Sequence, residues 1–205
     1  MGMGKLYIEG GGDQKRLKSE CRRAFAKFFE KAGFKGNMPR IVACGGRQSA
    51  YDDFCIAVRR LHQNESAFLL VDAEESVLGK NMNHPWNHLK SRDNWDKPET
   101  ATEKQAHLMV QVMESWFMAD KTALKEFFGP GFNEKALPKL ADIEAISKND
   151  LISSLENASR NTRKGKYEKG AHSFKILAMI HAEPVLKASK WAERLVSQLK
   201  AISGF

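Results

Sequence analysis

The chain has 205 residues, a formal net charge of +8 and a hydrophobic fraction of 42%, which suit a globular protein with its own core. The three cysteines, with no CxxC pair, exclude a disulfide framework. No apolar run is long enough to cross a bilayer and the first residues lack a secretory apolar region, so we expect a cytoplasmic protein without a membrane partner. The excess of basic residues favours nucleic acid as a partner.

Short apolar runs alternate with helical patterns in the first third of the chain. The runs predict strands at residues 5–8, 40–44 and 67–71, and apolar residues at helical spacing predict helices at 14–32 and 49–63. Strand, helix, strand, helix, strand is the order typical of a parallel α/β sheet.

The rest of the chain is less regular. Residues 76–104 are polar and contain two prolines, which predicts a loop insertion over the edge of the sheet. A fourth strand is predicted at 107–113, and residues 114–128 then turn into a helix. We expect an α/β core over residues 1–130 and a helical C-terminal part, 131–205, packed on it. Within that part, helices are predicted at 148–158, 173–181 and 184–202.

Carboxylates stand at the ends of two of the predicted strands. Glu9 ends the first strand, three glycines follow it, and Asp13 comes next; Asp72 and Glu74 follow the third strand. The carboxyl ends of parallel strands are where open α/β sheets bind ligands. Like charges held together there need a cation, so the four acids predict an oxygen-rich site for Mg²⁺ or Mn²⁺. The alternative is a strand, a turn and an Asp helix cap.

Two further residues are candidates from their positions alone. Glu114 lies at a predicted strand-to-helix turn and is a candidate metal ligand; the alternative is a carboxylate stabilised by the helix dipole. Arg47 follows two glycines at the end of the second strand, where its guanidinium can hold a phosphate with two hydrogen bonds. The alternative for Arg47 is an ordinary salt bridge at the surface.

A set of motifs distributed over nearly the whole chain resembles a known family. The motifs are Ile8-Glu9-Gly10-Gly11-Gly12-Asp13, Ala43-Cys44-Gly45-Gly46-Arg47, Tyr51-Asp52-Asp53-Phe54, Leu70-Val71-Asp72-x-Glu74, Pro85-Trp86 and Gln111-x-Met113-Glu114-x-Trp116-Phe117-x-Ala119-Asp120. A glutamate before a glycine turn, followed later by an acidic pair at a strand end, resembles a Toprim domain, in particular that of OLD-type nucleases. The wider pattern is similar to the bacterial domain-of-unknown-function family 4276, itself Toprim-like.

The resemblance implies a Toprim-like, Rossmann-type sheet and a role for each acid. Glu9 matches the Toprim glutamate, a metal ligand or general acid/base, while Asp72 and Glu74 match the metal-binding pair and Asp13 a ligand of a second metal. Lys169 matches the late lysine that OLD-type nucleases place near the scissile phosphate. Glu74 departs from the pattern, because the commonest Toprim pair has aspartate at this position. Glutamate is longer than aspartate, so the resemblance defines the position of the metal less closely.

The resemblance also implies a function. We expect a Mg²⁺- or Mn²⁺-dependent nuclease, with DNA favoured over RNA, that acts in bacterial anti-phage defence. The chain has no Gly-x-x-x-x-Gly-Lys-Ser/Thr loop, so the AAA or ABC-type ATPase that such effectors work with is expected on a separate polypeptide. One alternative is a non-catalytic Toprim-fold module that binds nucleic acid or protein. Another is a nucleotidyl or phosphoryl transferase that uses the same metal site.

Overall fold

A parallel sheet of four strands forms the centre of the protein. The computed structural model describes residues 4–63, 65–77, 79–139 and 142–203. The strands in those ranges are β1 (Gly4–Gly11), β2 (Arg40–Gly45), β3 (Ser66–Asp72) and β4 (Ala106–Met109), in the spatial order β2-β1-β3-β4. All neighbouring pairs are parallel. The predicted α/β class with a parallel sheet flanked by helices is therefore confirmed.

Helices cover both faces of the sheet. Those within the described ranges are α1 (Lys15–Phe29), α2 (Arg47–Val58), α3 (Pro85–Asp93), α4 (Lys121–Phe128), α5 (Lys148–Ser159), α6 (Ser173–Met179), α7 (Ala182–Ala188) and α8 (Lys190–Ser203). A π-helical segment, Glu30–Phe34, extends α1, and a 3₁₀ segment, Met113–Ala119, precedes α4. No helix among these residues has the length and hydropathy to cross a bilayer.

Alternation along the central strands divides the core into two clusters, as expected for side chains that point to opposite faces of a sheet. Ile8 and Leu70 pack with α1, α6 and α8 in one cluster. Leu69 and Val71 pack with α2 and α3 in the other. The first cluster contains side chains from before and after residue 130, while the division of the chain into two parts at that residue stays a prediction.

Residues 76–104, which were predicted as a loop insertion, contain the helix α3 in their middle. Pro85 occupies the first turn of this helix, where its missing N–H costs nothing. Asn94 ends the helix in a left-handed conformation, which asparagine tolerates. The buried residues Trp86 and Leu89 attach the helix to the α2 face of the sheet.

The fourth strand is shorter than predicted, because it ends at Met109 rather than at residue 113. Its neighbour β3 ends at Asp72, which is paired with Met109, so no strand remains beyond that point for β4 to pair with. The chain turns instead into the 3₁₀ segment that carries Glu114.

The predicted final helix over 184–202 is two helices, α7 and α8, separated by Ser189. The backbone of Ser189 is extended, and its Oγ accepts a hydrogen bond of 3.0 Å from the N–H of Ala192. A serine in that arrangement caps the start of a new helix. The other helix boundaries differ from prediction by a few residues; α2 spans Arg47–Val58 rather than 49–63, and α6 ends at Met179 rather than 181.

Candidate metal centre

Three carboxylates meet at the carboxyl edge of the sheet. Glu9 lies near the end of β1, Asp72 ends β3, and Glu74 follows two residues later; one oxygen of each lies within 4.8 Å of the others. The sheet brings them together because β1 and β3 are neighbours, with Ile8 paired to Leu70. The predicted adjacency of the two strand ends is thus present in the structure.

Glu74 reaches this position through an uncommon backbone conformation. Its φ is 68°, in the left-handed region that few residues other than glycine adopt. Its N–H donates to the carbonyl of Gln111 at 2.6 Å, and the N–H of Ala73 donates to the carbonyl of Met109 at 2.8 Å. These bonds hold the chain after β3 to the segment after β4, so the strained residue is fixed by its surroundings.

Each of the three carboxylates is paired with a cation of the same chain. Arg47 Nη1 lies 3.2 Å from Glu9 Oε2, and Lys169 Nζ lies 3.5 Å from Asp72 Oδ2. Glu74 Oε2 accepts a hydrogen bond from the ammonium of Lys148, the first residue of α5. The structure therefore places the predicted residues Arg47 and Lys169 against the predicted acids, and adds Lys148, which the sequence analysis missed.

Arg47 is held so firmly that little of its guanidinium remains free. Nε and Nη2 donate to the two oxygens of Asp93 at 2.9 and 2.6 Å, and Nη1 donates to Glu9 and to the carbonyl of Asp72. The guanidinium carbon lies 5.0 Å from the centre of the Trp95 ring, a cation–π contact. Asp93 was also missed, because it belongs to α3, a segment that was predicted as loop.

Burial sets the pKa values of the acids. The pKa of Asp72 rises to about 8, chiefly because the carboxyl is fully buried; Lys169 opposes this rise, and the negative charges of Glu9 and Glu114 add to it. One oxygen of Asp72 also accepts the N–H of Met113 at 2.8 Å. Burial likewise raises the pKa of Glu9, against the lowering effect of Arg47. These two groups therefore bind a proton more tightly than ordinary carboxyls do.

The pKa values of Glu74 and Lys169 are set by their charged neighbours rather than by burial. Burial raises the pKa of Glu74, but the hydrogen bond and charge of Lys148 outweigh it, and the net pKa lies below its usual range. Burial lowers the pKa of Lys169, but the negative charges of Glu114 and Asp72 outweigh it, so its pKa is raised and the ammonium stays charged.

Glu114 lies behind the group of three rather than in it. Its side chain is fully buried; Oε1 accepts a hydrogen bond of 2.7 Å from the hydroxyl of Tyr167. Oε2 has no hydrogen-bond partner among the described residues and lies 3.9 Å from Lys169 Nζ. Glu114 thus contacts the site through Lys169, and its role as a metal ligand stays a prediction. Tyr167 had no signal in the sequence that could have identified it.

Asp13 is exposed after the glycine turn and does not belong to the group of three carboxylates found among the described residues. Its role with a second metal stays a prediction. The turn itself needs glycine: Gly11 has a φ of 89°, and a Cβ there would lie 2.6 Å from the Cα of Lys18. The start of α1 therefore packs directly on the backbone that follows Glu9.

Comparisons with known proteins give one family and one solved structure. The structure is the C-terminal region of the OLD protein of Xanthomonas campestris pv. campestris, to which this chain is similar with 14% identity and a TM-score of 0.49, over 99% of this chain and 94% of the other. This degree of likeness supports no conclusion about activity. No curated protein matches the chain. Residues 8–200 match the family described as Domain of unknown function (DUF4276), so the predicted family is confirmed and the chain belongs to it.

Proposed function

We propose that the protein is a metal-dependent nuclease of the Toprim type, which hydrolyses phosphodiester bonds of nucleic acid, with DNA as the favoured substrate. The observation that carries the proposal is the convergence of three carboxylates from two neighbouring strands, all within 4.8 Å. Acids gathered at the carboxyl edge of a parallel sheet repel one another, and a cation bound there relieves that repulsion.

The three acids fit Mg²⁺ or Mn²⁺. Both ions prefer carboxylate oxygens, and Glu9, Asp72 and Glu74 would hold one of them. An ion about 2.1 Å from each oxygen brings its ligands to within about 4.2 Å of one another, so small rotations of the glutamates suffice. When bound, such an ion polarises a phosphoryl oxygen and lowers the pKa of water.

The remaining roles are assigned by the contacts of each side chain. Lys169, partly exposed and positively charged beside Asp72, neutralises the phosphate of the substrate. Arg47 was predicted to hold a phosphate, but its guanidinium makes four hydrogen bonds to the protein, and one of them, from Nη1, orients Glu9. Glu9 Oε2 accepts from Arg47 and from the N–H of Asp72, so Oε1 is the atom that either binds the ion or takes a proton from the attacking water. Asp13 and Glu114 remain candidates for a second ion.

The wider setting is proposed from the resemblance to OLD-type nucleases. In this setting, this protein acts in bacterial anti-phage defence, together with an AAA or ABC-type ATPase that is encoded separately. A cytoplasmic location is part of the same proposal. In cells, we expect that deletion of the gene removes protection against phage. Only a chain with intact carboxylates should restore that protection.

The test of the activity is the variant Asp72→Asn. The amide keeps an oxygen for the N–H of Met113, so the fold should persist, while a charged metal ligand is removed. We expect cleavage of single-stranded and duplex DNA in Mg²⁺ or Mn²⁺ to fall by at least about 100-fold, a loss typical of removing a central electrostatic group. Asp52→Asn, at an exposed position of α2, is the matched control and should cleave at the parental rate. Cleavage by pure Asp72→Asn at that rate, or by the parent in EDTA, would contradict the assignment.

A non-catalytic binding module is the second candidate. It is favoured by one observation, the pairing of all three carboxylates with Arg47, Lys148 and Lys169, which neutralises the site without an ion. A binding module should keep its affinity for nucleic acid in EDTA and show no turnover in any metal. Metal-dependent turnover excludes it.

A further inference from the structure

A cavity of about 230 Å³ opens directly beside the carboxylates. Glu9, Asp72 and Lys169 line one part of it. The other part is mostly apolar: Leu17, Met113 and Phe174 line it, together with the glycine turn and Ser173. The two parts share one space, so a molecule with its phosphate at the acids extends into the apolar part.

We infer that the apolar part of this cavity binds a single unpaired nucleobase of the nucleic acid substrate. The inference rests on the proposed function, because the phosphate of that nucleotide is taken to lie beside the carboxylates. It makes single-stranded nucleic acid, or a base turned out of a duplex, the substrate class, since a paired and stacked base cannot enter a cavity of this size.

The size of the cavity fits this occupant. A cavity of about 230 Å³ has room for a single base but not for a stacked base pair. The backbone of a duplex presents sugars and phosphates, which gain nothing from an apolar wall, whereas a base presents a π face that stacks on an aromatic side chain.

Packing against its neighbours fixes Phe174 in the apolar wall of the cavity. Phe174 lies against Gly10, where a Cβ would come within 3.4 Å of its ring and within 2.9 Å of the sulfur of Cys21. Only 8% of Phe174 is exposed, so the ring is fixed by its neighbours rather than free in solvent. An aromatic wall beside a cationic lysine, in a chain of net charge +8, is the combination that single-strand binding proteins use.

The test measures affinity for a base separately from cleavage. A labelled oligothymidylate and an oligomer of the same length made only of abasic sugar-phosphate are titrated with full-length protein, with Ca²⁺ in place of Mg²⁺. The parent should bind the thymidylate at least about tenfold more tightly than the abasic oligomer, because a stacked base contributes about 1–3 kcal/mol. Phe174→Leu should remove most of that difference. Phe132→Leu, which changes a ring stacked on Phe128 outside the cavity, should leave the difference unchanged.

A second variant covers the case in which Phe174→Leu destabilises the fold. Leu17 is only half-buried on α1, so Leu17→Gln can replace part of the apolar wall with a polar side chain of similar size, and it should also remove most of the preference for the base-bearing oligomer. Equal affinity of the parent for both oligomers, or a preference that survives both variants, overturns the inference. Metal-dependent cleavage with equal affinity would refute the base pocket alone. A base preference without cleavage in any metal would refute the nuclease and keep the pocket.

Discussion

Lys148 competes with a metal ion for Glu74, and replacing it should tighten metal binding. In the structure its ammonium pairs with the same carboxylate that would hold the ion, so binding requires the lysine to withdraw. We therefore expect Lys148→Gln to lower the Kd for Mg²⁺ and Mn²⁺ while slightly lowering the stability of the metal-free protein.

The magnitude follows from the exposure of the pair. A hydrogen bond to a charged group is worth about 1.5–3 kcal/mol when buried, and an exposed ion pair less than about 1 kcal/mol. The side chains of Lys148 and Glu74 are 37% and 18% exposed, which lies between these limits. A value of about 1.4 kcal/mol corresponds to a tenfold lower Kd.

Isothermal titration of EDTA-treated and dialysed protein measures this change directly. Lys166→Gln is the matched control, because Lys166 also pairs with a glutamate of α5, Glu156, at 3.6 Å, and its removal changes the net charge equally. Lys148→Arg keeps the pair and should bind the ion as the parent does. An unchanged or weaker affinity in Lys148→Gln, or an equal gain in Lys166→Gln, would show that Lys148 does not compete.

Three other expectations concern stability and nucleic acid binding. Tyr167→Phe should lower the free energy of unfolding by about 1–3 kcal/mol in urea titrations, because the buried carboxylate of Glu114 loses its hydroxyl donor; no change would mean that water replaces it. Burial, with the nearby charge of Arg194, lowers the pKa of His107 to about 3. As the pH falls from 6.5 towards 3, His107 therefore takes up a proton in the unfolded chain but not in the folded one. Over this range the free energy of unfolding of the parent should fall by up to about 1.4 kcal/mol per pH unit more than that of His107→Gln. Parallel pH profiles would contradict this. Reversing the charge of any of the four basic residues in 160–166 should make the plot of log affinity for nucleic acid against log salt concentration less steep. The slope should change by about 0.7 to 0.9 for each phosphate that is no longer neutralised. An unchanged slope would exclude this loop as the binding surface.

The acids of the site could be predicted from sequence because two regularities locate them. Apolar runs mark the strands, and chain order in an α/β sheet brings the ends of neighbouring strands to one edge, where Glu9 and Asp72 are found. Glu74 followed because it lies two residues beyond Asp72. Nothing in this reasoning required knowledge of how the helices pack.

Arg47 and Lys169 were candidates from the sequence, but Lys148 and the side chains that support these cations depend on tertiary packing and could not be predicted in the same way. Asp93 comes from a helix whose polar sequence resembles a loop, and Tyr167 from an irregular segment more than 50 residues from its partner Glu114. Lys148 carried no local signal, because α1, α4 and α8 also begin with a lysine, and that of α4, Lys121, donates to the carbonyl of Pro138 rather than to a carboxylate.

The acids of the site are synthesised before two of the three cations that pair with them. The three carboxylates and Arg47 belong to the first half of the chain, whereas Lys148 and Lys169 are made last. A nascent chain that has folded its sheet therefore carries three converging negative charges against one positive charge. Mutual repulsion weakens that edge until α5 and the loop before α6 close over it. The two lysines therefore reach the edge only when the helices that fill the core on one face of the sheet, α6 and α8 among them, have also been made.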